Sequence, residues 1–366
     1  MADKLTYSFA NIHFTFLCEE RITRTPRLSI FESDTKENAK SHSDRRSSCS
    51  FGNAAFPDPT RIDGDGVLCR IHPRNDAGDL LSVNSVNADV GDTPSVNSVN
   101  ADAGDVNSRF SVNTGERHDA ETDVEIRVSV KFGDPAISAS PDYTRGIREF
   151  FVSNGSFVTT SSFFDGKTKS GKRFAHCERT AENEFTVTLA DGTQLRDTVL
   201  FDALPYAEIM LRHKMPLLHS SFITVGAAGV LFTGASGAGK TTQALLWQKY
   251  RNCEIVNGDR SSVSLLNGRP TAHGVPFCGS SGVARKKSVL VDAIVFPVRS
   301  HENRAEEMTA GEGARFLAGN FTYLPQWRES ADAMWNFIEE FTPKTRFIRL
   351  YCTPDERAVS ALEKLL

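Results

Sequence analysis

The octapeptide Gly234-Ala235-Ser236-Gly237-Ala238-Gly239-Lys240-Thr241 constrains this chain more than any other stretch. It fits the pattern G-x-x-x-x-G-K-[ST] in full. Glycines let a backbone curl until consecutive amides point inward at phosphate oxygens. The flanks suit such a loop: the apolar run Val230-Leu231-Phe232-Thr233 precedes it, and a helical run from about Lys240 to Tyr250 follows. A helix starting there adds partial positive charge at the same spot. The loop therefore reads as a nucleoside triphosphate cradle built by Gly234, Ala235, Ser236, Gly237, Ala238, Gly239, Lys240, Thr241 and Thr242. Lys240 would place its charge on the β and γ phosphates, and the Thr241 hydroxyl would join a Mg²⁺ shell.

A second acidic position follows. Asn257-Gly258-Asp259-Arg260 ends the short strand Glu254-Ile255-Val256, one strand after the loop's helix. A carboxylate there can reach a metal or an acceptor hydroxyl, although Asn, Gly and Asp also favour plain turns. Asp292 closes the apolar run Ser288-Val289-Leu290-Val291 and imitates the aspartate that follows an apolar strand in many nucleotide hydrolases. It ranks below Asp259, because the apolar stretch Ala293 to Val298 continues through it and puts it inside a strand. Arg285-Lys286-Lys287 reads as a solvated face, and Trp327 and Trp335 as core aromatics.

The chain has 366 residues, enough for about two domains. Its 39% hydrophobic and 24% charged residues are ordinary globular usage, and the net charge of -4 argues against a nucleic-acid partner. No apolar run reaches the ~20 residues of a membrane span. The start Met1-Ala2-Asp3-Lys4-Leu5 lacks the basic and apolar parts of a signal peptide. Seven scattered cysteines without a C-x-x-C pair suit reduced thiols. A cytoplasmic protein is the expectation.

The polar stretch 32–123 contains a duplication, Ser82 to Asp92 repeated as Ser95 to Asp105 with Val90 replaced by Ala103. Two copies without the Gly-Gly-x-Gly-x-Asp signature point to a disordered insert and not to a calcium site. It divides a small β-rich unit, 1–31 and 124–210. Thr6 to Glu19 reads as one strand, Val124 to Phe132 as another, Glu149 to Phe164 as β, and Phe185 to Leu189 as a strand turning at Asp191-Gly192 toward a partner through Leu195. In 211–366, Phe222 to Val225 and Val230 to Thr233 form a hairpin around Gly226–Gly229, and Asn267-Gly268 joins a second hairpin. Val289 to Val298 and Arg346 to Cys352 are further strands, Thr309 and Glu312 form a capping box, and Thr353-Pro354-Asp355-Glu356 opens a final helix. Strands mixed with helices and hairpins predict an α/β domain with a mixed sheet.

Taken together, Leu218-His219-Ser220-Ser221, the Gly226–Gly229 hairpin, the Gly234–Thr241 loop, Val256 to Arg260, Gly274 to Gly282 and Glu302-Asn303-Arg304 resemble, in order and spacing, HPr kinase/phosphorylase. They are closer still to the HPr-kinase-related proteins of peptide-modification clusters. The resemblance covers roughly Leu217 to Leu366. It implies a phosphoenolpyruvate-carboxykinase-like P-loop fold, Lys240 and Thr241 in phosphate and metal roles, and His219 near the γ-phosphate or in a proton relay. That family carries two adjacent aspartates where this chain has Gly258 and Asp259. Asp259 would then hold the metal or double as base, with Asn257 as a polar helper, and the phosphorylase reaction is put in doubt.

The reading that follows is an ATP- and Mg²⁺-dependent kinase. Lys240, Asp259 and His219 would be its catalytic residues, and Thr241 and Asp259 its metal ligands. The acceptor would be a Ser or Thr hydroxyl of a protein or peptide, or a small-molecule hydroxyl. The alternatives are a non-catalytic nucleotide-binding regulator, favoured by Gly258, and a P-loop NTPase using Asp292. The sequence leaves a homo-oligomer open.

Overall fold

The structure is a computed structural model, and it describes residues 3–33, 123–153, 156–164 and 169–366. The duplicated insert lies outside the described residues. The described residues form a mixed α/β structure with two eight-stranded sheets.

The first sheet contains β1 (Asp3–Phe9), β2 (Ile12–Cys18), β3 (Val124–Phe132), β4 (Tyr143–Arg145), β5 (Arg148–Ser153), β6 (Ser156–Phe164), β7 (Lys169–Ala181) and β8 (Glu184–Leu189), with the short helix α1 (Pro26–Ser29). Its order is β1-β2-β3-β8-β7-β6-β5-β4. β3 lies parallel to both β2 and β8, so the strand that follows the insert enters the middle of the sheet. Two expectations need correction here. Thr6 to Glu19 is not one strand but a hairpin, turned at Ala10 with φ 54° and at Asn11. The segment through Leu195 is no partner of β8, which pairs with β7; two helices follow instead, α2 (Asp197–Ala203) and α3 (Tyr206–Arg212). Asp197 is fully buried, and its carboxylate accepts from the Tyr7 hydroxyl and the Thr25 and Thr198 amides. That network locks α2 to β1. Phe201 of α2 then packs against Tyr7, Phe9, Phe14 and Phe16.

The second sheet contains β9 (Leu217–Val225), β10 (Ala228–Thr233), β11 (Glu254–Asn257), β12 (Arg260–Leu266), β13 (Arg269–Gly274), β14 (Ser288–Arg299), β15 (Arg304–Met308) and β16 (Phe347–Cys352). Its helices are α4 (Lys240–Arg251), α5 (Ala310–Ala318), α6 (Arg328–Phe341) and α7 (Glu356–Glu363). The order is β10-β9-β12-β13-β14-β16-β15, with β11 also on β9. β14 is long enough to serve three partners: Ser288 to Leu290 pairs with β13, Val291 to Val295 runs parallel to β10, and Ile294 to Arg299 runs parallel to β16. β9 divides in the same way between β12 and β10. The pairings therefore close a circuit through β10, β9, β12, β13 and β14.

Successive residues of a strand face opposite sides. Phe222, Leu231, Ile294 and Phe347 pack toward α5 and α6, whereas Ile223, Phe232, Val295 and Ile348 pack toward α4 and α7. Burial on both faces explains why these strands read as continuous apolar runs. Trp327 is buried as expected, but Trp335 is half-exposed on α6 and lies outside the core. The capping box at Thr309 and Glu312 forms as expected. The last helix is capped by Asp355, which accepts from the Arg357 amide, so it begins at Glu356, two residues later than its Thr-Pro start suggests.

Candidate functional site

Parallel strands β10, β14 and β16 end on one side of the sheet, the side where open α/β sheets receive ligands. The Gly234–Thr241 loop leaves β10 at this edge. Gly234, Gly237 and Gly239 adopt φ of 140°, 77° and 101°, a region costly for any side chain, so these glycines are required by the turn itself. Ala238 N–H closes on Ala235 O at 3.1 Å. Among the described residues, the N–H groups of Ser236, Gly237 and Gly239 donate to no backbone carbonyl, which leaves them for an anion. Lys240 is buried at the first turn of α4, and its ammonium reaches Gly234 O at 2.8 Å and Ala235 O at 3.1 Å. Burial lowers its pKa, and the Asp259 charge opposes that shift. Thr241 and Thr242 are exposed beside it.

Arg299, the last residue of β14, donates to Gly237 O at 2.8 Å. Sequence reasoning missed it, since no motif marks it. Its place at the end of the strand parallel to β10 is the only sequence-level signal.

The second half of the site is the turn from β11 into β12. Asn257 is fully buried and organises it. Its Oδ1 accepts from the Asp259 and Arg260 amides, both at 2.9 Å, and its Nδ2 donates to Val275 O at 2.7 Å. Asn257 therefore pins the turn that presents Asp259. β9 holds the turn from the other side: Ser221 Oγ donates to Gly258 O, and Ser220 N–H to Asp259 O. Asp259 is thereby fixed beside His219, whose Nε2 lies 3.4 Å from Oδ1, and beside Arg260, whose Nε lies 3.3 Å from Oδ2. Burial alone would raise the Asp259 pKa, but the His219 hydrogen bond and the Arg260 charge outweigh it and hold the carboxyl below its ordinary value. It is anionic at neutral pH.

The segment 278–282 wraps this carboxylate through a single 3₁₀ turn, Gly279–Ser281. Gly279, at φ 52°, passes so close that a Cβ would meet Asp259 Cγ at 2.7 Å. A Cβ on Gly258 would lie 2.3 Å from Ser281 Oγ. The space that a second acidic side chain would need is filled by Ser281. The first sheet supports the same segment, since Phe277 stacks on Tyr206 at 4.0 Å between ring centres and packs against Phe9 and Phe201.

Two other sequence candidates fall away from the site. Phe232 pairs with Val295, so Thr233 at the loop's edge is level with Phe296, and Asp292 lies four residues back. At a rise of about 3.3 Å per residue that is roughly 13 Å away. Asp292 faces Arg346 at 3.8 Å, and burial raises its pKa. Arg285 and Lys287 pair with Glu254 on the surface, as a solvated face would.

Among the described residues, no three His, Cys, Asp or Glu side chains gather as a metal cage. Mg²⁺ beside a nucleotide takes most of its ligands from phosphate and water and needs only one or two from protein. Thr241 with Asp259 fits that donor set. Among the described residues, no helix is long and apolar enough to cross a membrane.

No protein-family model matches the chain, and no curated protein does. Among solved structures, an HPr(Ser) kinase/phosphatase from Coxiella burnetii is similar at 12% identity over 41% of this chain and 95% of that chain, with a TM-score of 0.24. A likeness that low carries no argument for activity, and the functional reading rests on the site itself.

Proposed function

We propose that the chain is an ATP-dependent kinase that phosphorylates a Ser or Thr hydroxyl of a protein or peptide, or the hydroxyl of a small molecule. The observation that carries it is the fixed anionic Asp259, braced by His219 and Arg260 and electrostatically coupled to the buried Lys240 at the head of the glycine loop.

In this reading the amides of Ser236, Gly237 and Gly239 receive phosphate oxygens, and Lys240 turns from its carbonyl partners to the β and γ phosphates. Mg²⁺, bound by Thr241 and Asp259, would neutralise charge on those phosphates. Asp259 orients the acceptor hydroxyl, and His219 takes up its proton. A weakly basic carboxylate suffices, because phosphoryl transfer through a loose transition state rests mainly on positioning and charge neutralisation. The same reading makes 211–366 a phosphoenolpyruvate-carboxykinase-like P-loop domain acting in the cytoplasm.

Gly258 and Ser281 favour a second reading, a nucleotide-binding regulator that transfers nothing, because the site holds one carboxylate and no room for another. Labelled phosphate from ATP, followed with Mg²⁺ into a panel of Ser/Thr peptides and hydroxyl compounds and into water, separates the two. Transfer abolished by Lys240→Ala and by Asp259→Ala supports the kinase. Tight ATP binding with no transfer and no hydrolysis across the panel supports the regulator.

A further inference from the structure

The glycine loop is flanked by two strands that reach it from opposite sides. β10, which delivers the loop, lies between β9 and β14. The β9 side carries His219, whose carbonyl accepts from Thr233 Oγ1 at 2.9 Å, and it holds Asp259 through the Ser220 amide. The β14 side carries Arg299. Phe232 is level with Val295, so β14 continues three residues past the level of Thr233, about 10 Å of strand, and ends beside the loop. Ala293 and Val295 pack toward α4, and Arg299 continues that row on the face where the loop opens its helix.

The contact between Arg299 and the loop has a direction. Ala238 N–H points into the loop's own turn, at Ala235 O. That N–H and the Gly237 carbonyl belong to one planar trans peptide, so the carbonyl points the opposite way, out of the turn. Arg299 Nη2 donates to this carbonyl at 2.8 Å. Arg299 therefore stands on the outside of the loop, across it from His219 and Asp259. The bond uses one edge of the guanidinium fork. The side chain is exposed, and among the described residues it forms no ion pair and covers no ring. Arg260, Arg304 and Arg349, by contrast, are each paired with a carboxylate, and Arg304 and Arg349 also lie over rings. Arg299 is thus held at one edge by an uncharged carbonyl, with the face of its plane left over.

We propose that Arg299 is the nucleoside contact of this site, its guanidinium plane stacking on the base while its edge stays on Gly237 O. The inference rests on the reading of the glycine loop as a triphosphate cradle with Asp259 at the γ end. A triphosphate whose γ end lies on the β9 side leads its α-phosphate, and the nucleoside beyond it, toward β14. Guanidinium planes stack on aromatic faces, and such a contact reads the π face of a ring and not the hydrogen-bonding pattern of its edge. Arg299 then adds affinity for a nucleotide over other triphosphates without choosing adenine over guanine.

The test compares two ligands on the full chain with Mg²⁺. One is a non-hydrolysable ATP analogue, and the other is inorganic tripolyphosphate, which has the phosphates and no nucleoside. Displacement of a fluorescent nucleotide reads both, the weaker ligand included. Arg299→Gln should weaken the ATP analogue about fivefold to thirtyfold and leave tripolyphosphate within about twofold. A residue that only shaped the loop, or that bonded to phosphate, would weaken both ligands alike, and that result overturns the proposal. Unchanged affinity for the ATP analogue overturns it too. Arg299→Lys separates plane from charge: it keeps the charge but presents no plane, so it should lose most of the same affinity. Wild-type affinity in that variant also overturns the stacking. Lys240→Ala tests the underlying reading. If it weakens both ligands while Arg299→Gln weakens neither, the cradle stands and the nucleoside contact falls. If tripolyphosphate displaces nothing, or Lys240→Ala binds both ligands as the wild type does, the nucleotide reading falls and Arg299 with it.

Discussion

Gly258 and Ser281 occupy each other's space: a Cβ added to Gly258 would sit 2.3 Å from both Cβ and Oγ of Ser281, while the Ser281 Cα stays 3.9 Å away. The conflict is therefore with the serine side chain and not with its backbone. Gly258→Ala should destabilise the fold by about 1–3 kcal/mol, the usual cost of overpacking. Ser281→Gly alone should cost less, since it gives up the hydrogen bond to Cys278 O. The double variant should be more stable than Gly258→Ala, a coupling that urea denaturation of all four proteins measures. Simple additivity would mean that the segment 278–282 does not pack on Gly258.

Lys240 is held by two loop carbonyls and is displaced from water. Lys240→Ala should leave the melting temperature within a few degrees, because the orphaned carbonyls belong to a loop with exposed neighbours. Affinity for a non-hydrolysable ATP analogue should fall by about a hundredfold, the scale of losing charge-assisted bonds to phosphate. Calorimetry on the wild type and the variant gives both numbers, and unchanged affinity would move the nucleotide away from this loop.

Asp259→Asn keeps the shape of the turn but removes the charge facing His219 and Arg260. Phosphate transfer should drop by two orders of magnitude or more, with affinity for ATP in the absence of Mg²⁺ changed only a few-fold. His219→Gln should lower transfer by about tenfold to a hundredfold, the lower part of the range for a proton carrier. An Asp259→Asn protein that transfers phosphate at the wild-type rate would exclude this carboxylate from the chemistry.

What could be read from the residues follows from how locally each feature is encoded. The glycine loop needs positive φ at Gly234, Gly237 and Gly239 and a helix behind it, all written within eight residues. The Asn267-Gly268 hairpin and the Thr309–Glu312 box are equally local. The features that escaped depend on distant partners. Ala10-Asn11 is a weak turn signal, so β1 and β2 read as one strand, although each is fixed by its neighbours in the sheet. The short helices α2 and α3 hold through Asp197 and the aromatic cluster of β1 and β2, contacts spanning more than 170 residues. At the site, Asp259 was legible from its place after the loop. Its bracing by Arg260, the filling of the second acidic position by Ser281 and the approach of Arg299 arise only when separate strands meet.

His273 on β13 offers a test of the second sheet's interior. It is 3% exposed, with Nε2 at 2.9 Å from Ser264 Oγ and Nδ1 at 2.8 Å from Ser288 Oγ. Each hydroxyl can donate or accept, so a neutral ring of either tautomer is satisfied. Burial pushes the imidazole pKa down to about 4. In the window between about 4 and the ordinary value near 6.5, the unfolded chain binds a proton that the folded chain refuses, so stability is lost as pH falls. The loss through His273 should be about 2 kcal/mol between pH 7.5 and pH 5. Asp202 works against it: burial raises its carboxyl to about 6, so the folded chain takes up a proton first and gains stability over part of the same window. The raw pH profile therefore mixes two opposite slopes. Urea denaturation of wild type and His273→Gln at both pH values isolates the histidine, because Asp202 is common to the pair. The variant should be less stable at pH 7.5 yet lose about 2 kcal/mol less on acidification, and equal losses would mean that His273 is protonated in the folded protein.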